Sequence, residues 1–181
     1  MRPAVARLVV TVVVTTALAA CGGGGSSNAV PTKVVTSLVP AALSSGKLSL
    51  AEDRSAHKRF ASAGSDSLVS DGRLWAVRDG NRLVATLQVS TLAPKVDLSD
   101  KKSKESLVAS ILPGTRESFE VGDVRVVSVA TEDKVVYLWF GASMFEVLQV
   151  KGNGIDPEKV LGELLAFQLA SPAWHAAPVA D

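Results

Sequence analysis

Hydrophobic and polar positions change their rhythm several times along this chain, and each rhythm predicts an element. Leu74, Ala76 and Arg78 interleave with Trp75 and Val77, and after Asp79-Gly80-Asn81 the alternation resumes as Leu83, Ala85, Leu87 and Val89 against Val84, Thr86 and Gln88. Period two on both sides of an Asp-Gly turn predicts a β-hairpin. The rhythm then shifts to helical spacing: Ser99 stands as N-cap before Asp100, Leu107, Val108, Ile111 and Leu112 form one apolar stripe, and Pro113-Gly114 ends it. A second run of strands follows at Glu117 to Val121, Val124 to Ala130, Val135 to Phe140 and Met144 to Val150, with turns at Gly122-Asp123 and Thr131-Glu132-Asp133. Turns at this short spacing are those of an antiparallel meander.

Between Val135 and Val150 the only charge is Glu146. The stretch is too short for a membrane-spanning helix, which needs about 20 residues, and Gly141-Ala142-Ser143 breaks it into two buried strands. Asp156-Pro157-Glu158 opens a last helix, with Asp as cap and Pro at the first position, and Val160, Leu161, Leu164, Leu165 and Leu169 give it an apolar face that ends at Ser171-Pro172. Together the elements predict an α+β fold, an antiparallel sheet of about five to six strands in ββαβββα order with helices packed on one face of it. The apolar strands from Val135 to Val150 imply that the centre of the sheet is covered on both sides, by helices and by the 30–60 segment. Residues 51–61, with Glu52, Asp53, Arg54, His57, Lys58 and Arg59, read as a short exposed helix or an irregular segment, and Ser65-Asp66-Ser67 and Asp71-Gly72 read as turns.

The first twenty residues have a different character. Arg2 and Arg7 are their only charges, and Leu8 to Ala20 is an unbroken run of apolar residues and threonines. Such a run rises only about 20 Å as a helix, short of a hydrocarbon core of about 30 Å, which fits a cleaved signal better than a span. Leu18-Ala19-Ala20-Cys21, small residues before the sole cysteine, resembles the lipobox of bacterial lipoproteins. The resemblance implies removal of residues 1–20, lipidation of Cys21 with palmitate-type acyl chains, and anchoring to a cell membrane on its extracytoplasmic side. Two or three chains on one residue satisfy the two-signal requirement for stable anchoring. Gly22 to Gly25, Ser26 and Ser27 then form a flexible spacer. The expected organisation is a signal peptide at 1–20, a lipidated cysteine and linker at 21–45, one α+β domain at 46–171 and a tail at 172–181, with part of the linker docking on the domain through Val34, Val35, Leu38, Val39 and Leu43.

Charge adds mainly exclusions. Of 19 basic residues, cleavage before Cys21 removes Arg2 and Arg7, which leaves 17 against 18 acidic ones and a net charge of −1. A near-neutral body without a basic stripe excludes nucleic acid as an expected partner. Lys101, Lys102 and Lys104, interleaved with Asp100 and Glu105, form a solvated helix face. Once Cys21 is acylated no thiol remains for disulfides, catalysis or metal binding. His57 and His175 lack a second ligand at helical spacing, no Gly-x-Ser-x-Gly elbow occurs, and Gly22 to Gly25 lacks the lysine of a phosphate loop. Neither a metal, a cofactor nor an enzymatic activity is expected.

Candidate recognition rests on aromatic residues. Trp75, Tyr137, Trp139, Phe140 and Phe145 fall on predicted strands, with Tyr137 and Trp139 on one face and Leu138 and Phe140 on the other. Such rows either pack the core or line an apolar ligand or partner face. The leading expectation is a membrane-anchored envelope lipoprotein with a non-catalytic binding or scaffold domain for another envelope component. The alternative is a carrier or sensor of a hydrophobic, lipid-like ligand held between sheet and helix.

Overall fold

The computed structural model describes residues 32–43, 46–55, 69–92, 98, 100–141, 144–152 and 154–175. Seven antiparallel strands form one sheet: β1 (Leu48–Glu52), β2 (Val69–Asp79), β3 (Arg82–Leu92), β4 (Glu117–Val121), β5 (Val124–Ala130), β6 (Lys134–Phe140) and β7 (Met144–Lys151). Their spatial order is β1-β2-β3-β7-β6-β5-β4, so two meanders meet along β3 and β7. The helix α2 (Lys101–Ile111) makes the one long connection, from the centre of the sheet at β3 to its far edge at β4. From that edge the second meander returns to the centre, which is why β7 is the most enclosed strand of its group.

Alternation sorts the side chains onto two faces. On one, Trp75, Val77, Leu87, Val89, Val126, Trp139 and Leu148 join the buried residues of α1 (Thr32–Ser37), α3 (Pro157–Leu169) and α4 (Pro172–His175) in a single core. On the other, Val136, Leu138 and Phe145 pack with Leu107, Val108 and Leu112 at and just beyond α2. Local chemistry supports these elements where the sequence indicates it. Asp156 caps α3 by accepting from the Glu158 and Lys159 N–H groups with Pro157 in the first turn, and Gly80 and Gly122 take the left-handed conformation (φ 57° and 58°) in their hairpin turns. A side chain at position 122 would meet Leu169 Cδ1 at 3.2 Å, since the end of α3 rests on that turn.

Several expectations change. The sheet has seven strands rather than five or six, because Leu48 and Leu50 make an additional edge strand from only two apolar positions. Helices cover both faces, not one. Asp71-Gly72 is not a turn: Asp71 pairs with Thr91 and Gly72 with Ser90 in β2, where the long partner strand extends the ladder past an irregularity at Val69/Asp71. The cap of α2 is Asp100, which accepts from the Ser103 N–H, instead of Ser99. The segment expected to dock on the body does so, with Val35, Leu38 and Leu43 buried and residues 41–43 along the outer edge of β1 through Leu43 N–H to Leu48 O (3.0 Å) and Leu50 N–H to Ala41 O (2.9 Å), and the body continues past 171, where Trp174 of α4 packs into the main core.

Candidate functional site

The β6–β7 hairpin places Trp139 directly opposite Glu146. Both side chains point to the face covered by α1 and α3, since Met144, Leu148 and Val150 alternate with Glu146 on that side. There Gln168 of α3 meets them, one turn beyond Leu164 and Leu165 on the same buried stripe. The Trp139 indole N–H donates to Gln168 Oε1 (3.2 Å), and Gln168 Nε2 donates to Glu146 Oε2 (2.7 Å) and to the Leu38 carbonyl (3.3 Å). The indole, which can only donate, fixes which end of the amide faces it. One amide therefore ties two strands, α3 and the chain just beyond α1 together.

Glu146 and Gln168 have no solvent exposure. Glu146 Oε1 has no hydrogen-bond partner among the described residues. Burial raises the carboxyl pKa from its ordinary 4.5 to about 8, against a smaller opposing effect of the Gln168 hydrogen bond. The group is thus chiefly neutral at neutral pH, as a carboxyl in an apolar core without a countercharge must be. A shifted carboxyl in an accessible cleft would suggest acid–base chemistry; this one lies between packed side chains with no solvent exposure. Its chemistry is that of a buried polar junction, costly to leave unmade and selective for one arrangement of the helices.

The aromatic residues singled out from the sequence do not form one face. Trp75, Tyr137 and Trp139 lie in the core under α1 and α3, whereas Phe140 and Phe145 lie under α2. Phe119 meets Tyr137 edge-on at 6.2 Å, and burial, with Glu158 and Asp156 nearby, raises the Tyr137 pKa. On the other face Phe140 and Phe145 stack at a tilt, with the Lys104 ammonium 4.8 Å above the Phe140 ring. Trp139, Leu87, Leu148 and Leu165 have no surface open to water, external or internal. A ligand cavity of about 300 Å³ or more lined by these residues would leave such surface, so sheet and α3 are in direct contact there.

Cys21 and His57 lie outside the described residues, and His175 falls in α4. Asp53 accepts from the Ser55 N–H and hydroxyl, a local turn contact. No group of three or more His, Cys, Asp or Glu able to hold a metal occurs among the described residues, and none of their helices is long and apolar enough to cross a membrane. Glu146 and Gln168 are the residues that sequence reasoning did not single out. The signal was the lone charge in an otherwise uncharged strand pair, and an amide on the apolar stripe of the last helix. Comparison with protein-family models, curated proteins and solved structures finds no match.

Proposed function

We propose that the chain is a cell-envelope lipoprotein, anchored through acylated Cys21 on the extracytoplasmic side of a membrane, whose domain is a non-catalytic binding or scaffold module. The observation that carries this reading is the run from Arg2 through the apolar Leu8–Ala20 stretch to Leu18-Ala19-Ala20-Cys21, followed by the Gly/Ser spacer. The folded body is consistent with a binding role: its buried carboxyl, Glu146, is held by Gln168 in a polar junction between sheet and helix. The face under α3 gives the carrier reading no support, because Trp139, Leu148 and Leu165 pack directly there; that reading rests on the α2 face, where Leu107, Val108 and Leu112 meet Val136, Leu138 and Phe145.

The test joins anchoring to recognition. Mass measurement of the mature protein should find an acylated amino terminus at residue 21, and Cys21→Ser should move the protein from the membrane to the soluble fraction. Capture from solubilised membranes should enrich an envelope component over an unrelated lipoprotein control. An unmodified amino terminus, or no enriched partner, would overturn the corresponding half of the proposal.

A further inference from the structure

The two edges of the sheet are finished differently. At the β1 edge residues 41–43 lie alongside, with Leu43 N–H on Leu48 O and Leu50 N–H on Ala41 O. At the other edge β4 pairs, among the described residues, with β5 alone, and Glu117, Ser118, Phe119 and Glu120 are exposed. The two-residue turn Gly122-Asp123 makes Val121 and Val124 a hydrogen-bonded pair, so bonding to β5 falls on Val121, Phe119 and Glu117. The N–H and C=O groups of Ser118 and Glu120 consequently point away from the sheet. Phe119 stands on the same face as Tyr137, edge-on to its ring, with 37% of its surface open. On the opposite face Arg125 lies across from Glu120, yet its guanidinium reaches diagonally to donate to the Ser118 hydroxyl (3.3 Å).

We propose that β4 pairs with β4 of a second copy of this chain, antiparallel about a two-fold axis at Phe119, so that two seven-stranded sheets join into one. Ser118 of each copy then stands opposite Glu120 of the other, Glu117 opposite Val121, and the two Phe119 rings meet.

Backbone direction and charge select this register. A two-fold pairing centred on Phe119 sets the outward groups of Ser118 and Glu120 against each other and makes both such pairs hydrogen-bonded. Centred on Glu120, it would set two carboxylates face to face, which is destabilising. Centred on Ser118, it would keep one hydrogen-bonded pair within the strand and put Phe119 against Glu117. Two glutamates on a short edge strand repel a partner that brings no cation. Here the Arg125 guanidinium already rests on Ser118, the residue that Glu120 of the other copy faces. Each copy thus supplies the cation for the other's carboxylate, and the patch is self-complementary as a two-fold interface requires. Five residues a side is small beside the roughly 20–30 of a stable interface, so the dimer is a weak one that forms at high local concentration. It goes beyond the proposed anchoring and does not depend on acylation of Cys21.

The test is disulfide capture in the full chain carrying Cys21→Ser, in detergent, with one new cysteine at position 117, 119 or 121. In the two-fold register the α-carbons of the two copies at position 119 lie about 4.5 Å apart, within reach of a disulfide. At 117 and at 121 they are four residues out of step, about 14 Å along the strand. Phe119→Cys should therefore cross-link to its own copy at least about tenfold faster than Glu117→Cys or Val121→Cys. In the Phe119→Cys background, Glu120→Arg and Arg125→Glu should each slow capture about tenfold, and mixing those two chains should restore it to within about threefold, because the mixed pair matches both charges. Mixing cannot repair a loss that lies within one chain. Equal capture at the three positions would mean random collision and would overturn the proposal. So would a rate indifferent to either charge reversal, no recovery in the mixture, or, in membranes, cross-linking of Phe119→Cys to a different protein and not to its own copy.

Discussion

The two faces of the sheet solve the same problem at different scale. Among the described residues, the face under α1, α3 and α4 gathers 23 buried apolar residues, and the face under α2 gathers seven. Yet the larger core is the one that holds a carboxyl. An apolar region deep enough to bury Trp139 completely also excludes the water that Glu146 would need, so Gln168 must supply the hydrogen bonds. The smaller core needs no such junction: α2 contributes only Leu107 and Val108 as buried helical residues, and its outer rows of lysine and serine remain in solvent. Burial depth therefore decides which face can be specific about its helix and which merely shelters one.

The largest expected effect comes from breaking the deep face. Trp139→Ala removes a fully buried indole and leaves Gln168 Oε1 without its donor. It should cost about 3–5 kcal/mol in chemical denaturation, enough to unfold a marginal domain. The corresponding change on the shallow face, Leu107→Ala, should cost about 2 kcal/mol, near the low end for a buried leucine. Equal losses from both would show that the faces are equivalent in spite of their sizes.

The pH dependence sharpens the same contrast. Since the native carboxyl of Glu146 titrates near 8 rather than at 4.5, the native state holds a proton that the unfolded chain releases between those values. Its contribution to stability is fully present below about pH 4.5, is lost as pH rises toward 8, and changes little beyond. The slope is on the order of 1 kcal/mol per pH unit. Denaturation midpoints should follow this course, and Glu146→Gln should remove it. Leu107→Ala should lower the whole profile without changing its slope.

Much of the fold was legible because its pattern is local. The second meander, its turns and the capped helix after Asp156 follow from alternation and from Gly, Asp and Pro at turn and cap positions. What escaped depends on partners far away. Asp71-Gly72 reads locally as a turn and becomes strand only because Thr91 and Ser90 are there to pair with it. Leu48 and Leu50 are too few to announce a strand until β2 supplies the ladder. Val35, Leu38 and Leu43 are too apolar for a free tether, but the place of Leu38 beside Gln168 depends on a contact 130 residues away. The junction itself was the least legible. A lone Glu in an apolar run announces a conflict, and only the tertiary arrangement shows that Gln168 resolves it.

The central pairing of β3 with β7 also governs how the molecule must be made. Thr91 finds its partner at Met144 only after α2 and three further strands have been synthesised. Until then β1 to β3 form a meander whose β3 edge presents unpaired backbone groups and the apolar side chains Leu87 and Val89. An open edge of this kind invites pairing with other chains. Closing the seam between the meanders is a long-range event and therefore a slow one. The same last strand carries Glu146, so the sheet is completed first and its carboxyl is buried only when α3, the next element of the chain, brings Gln168 over it.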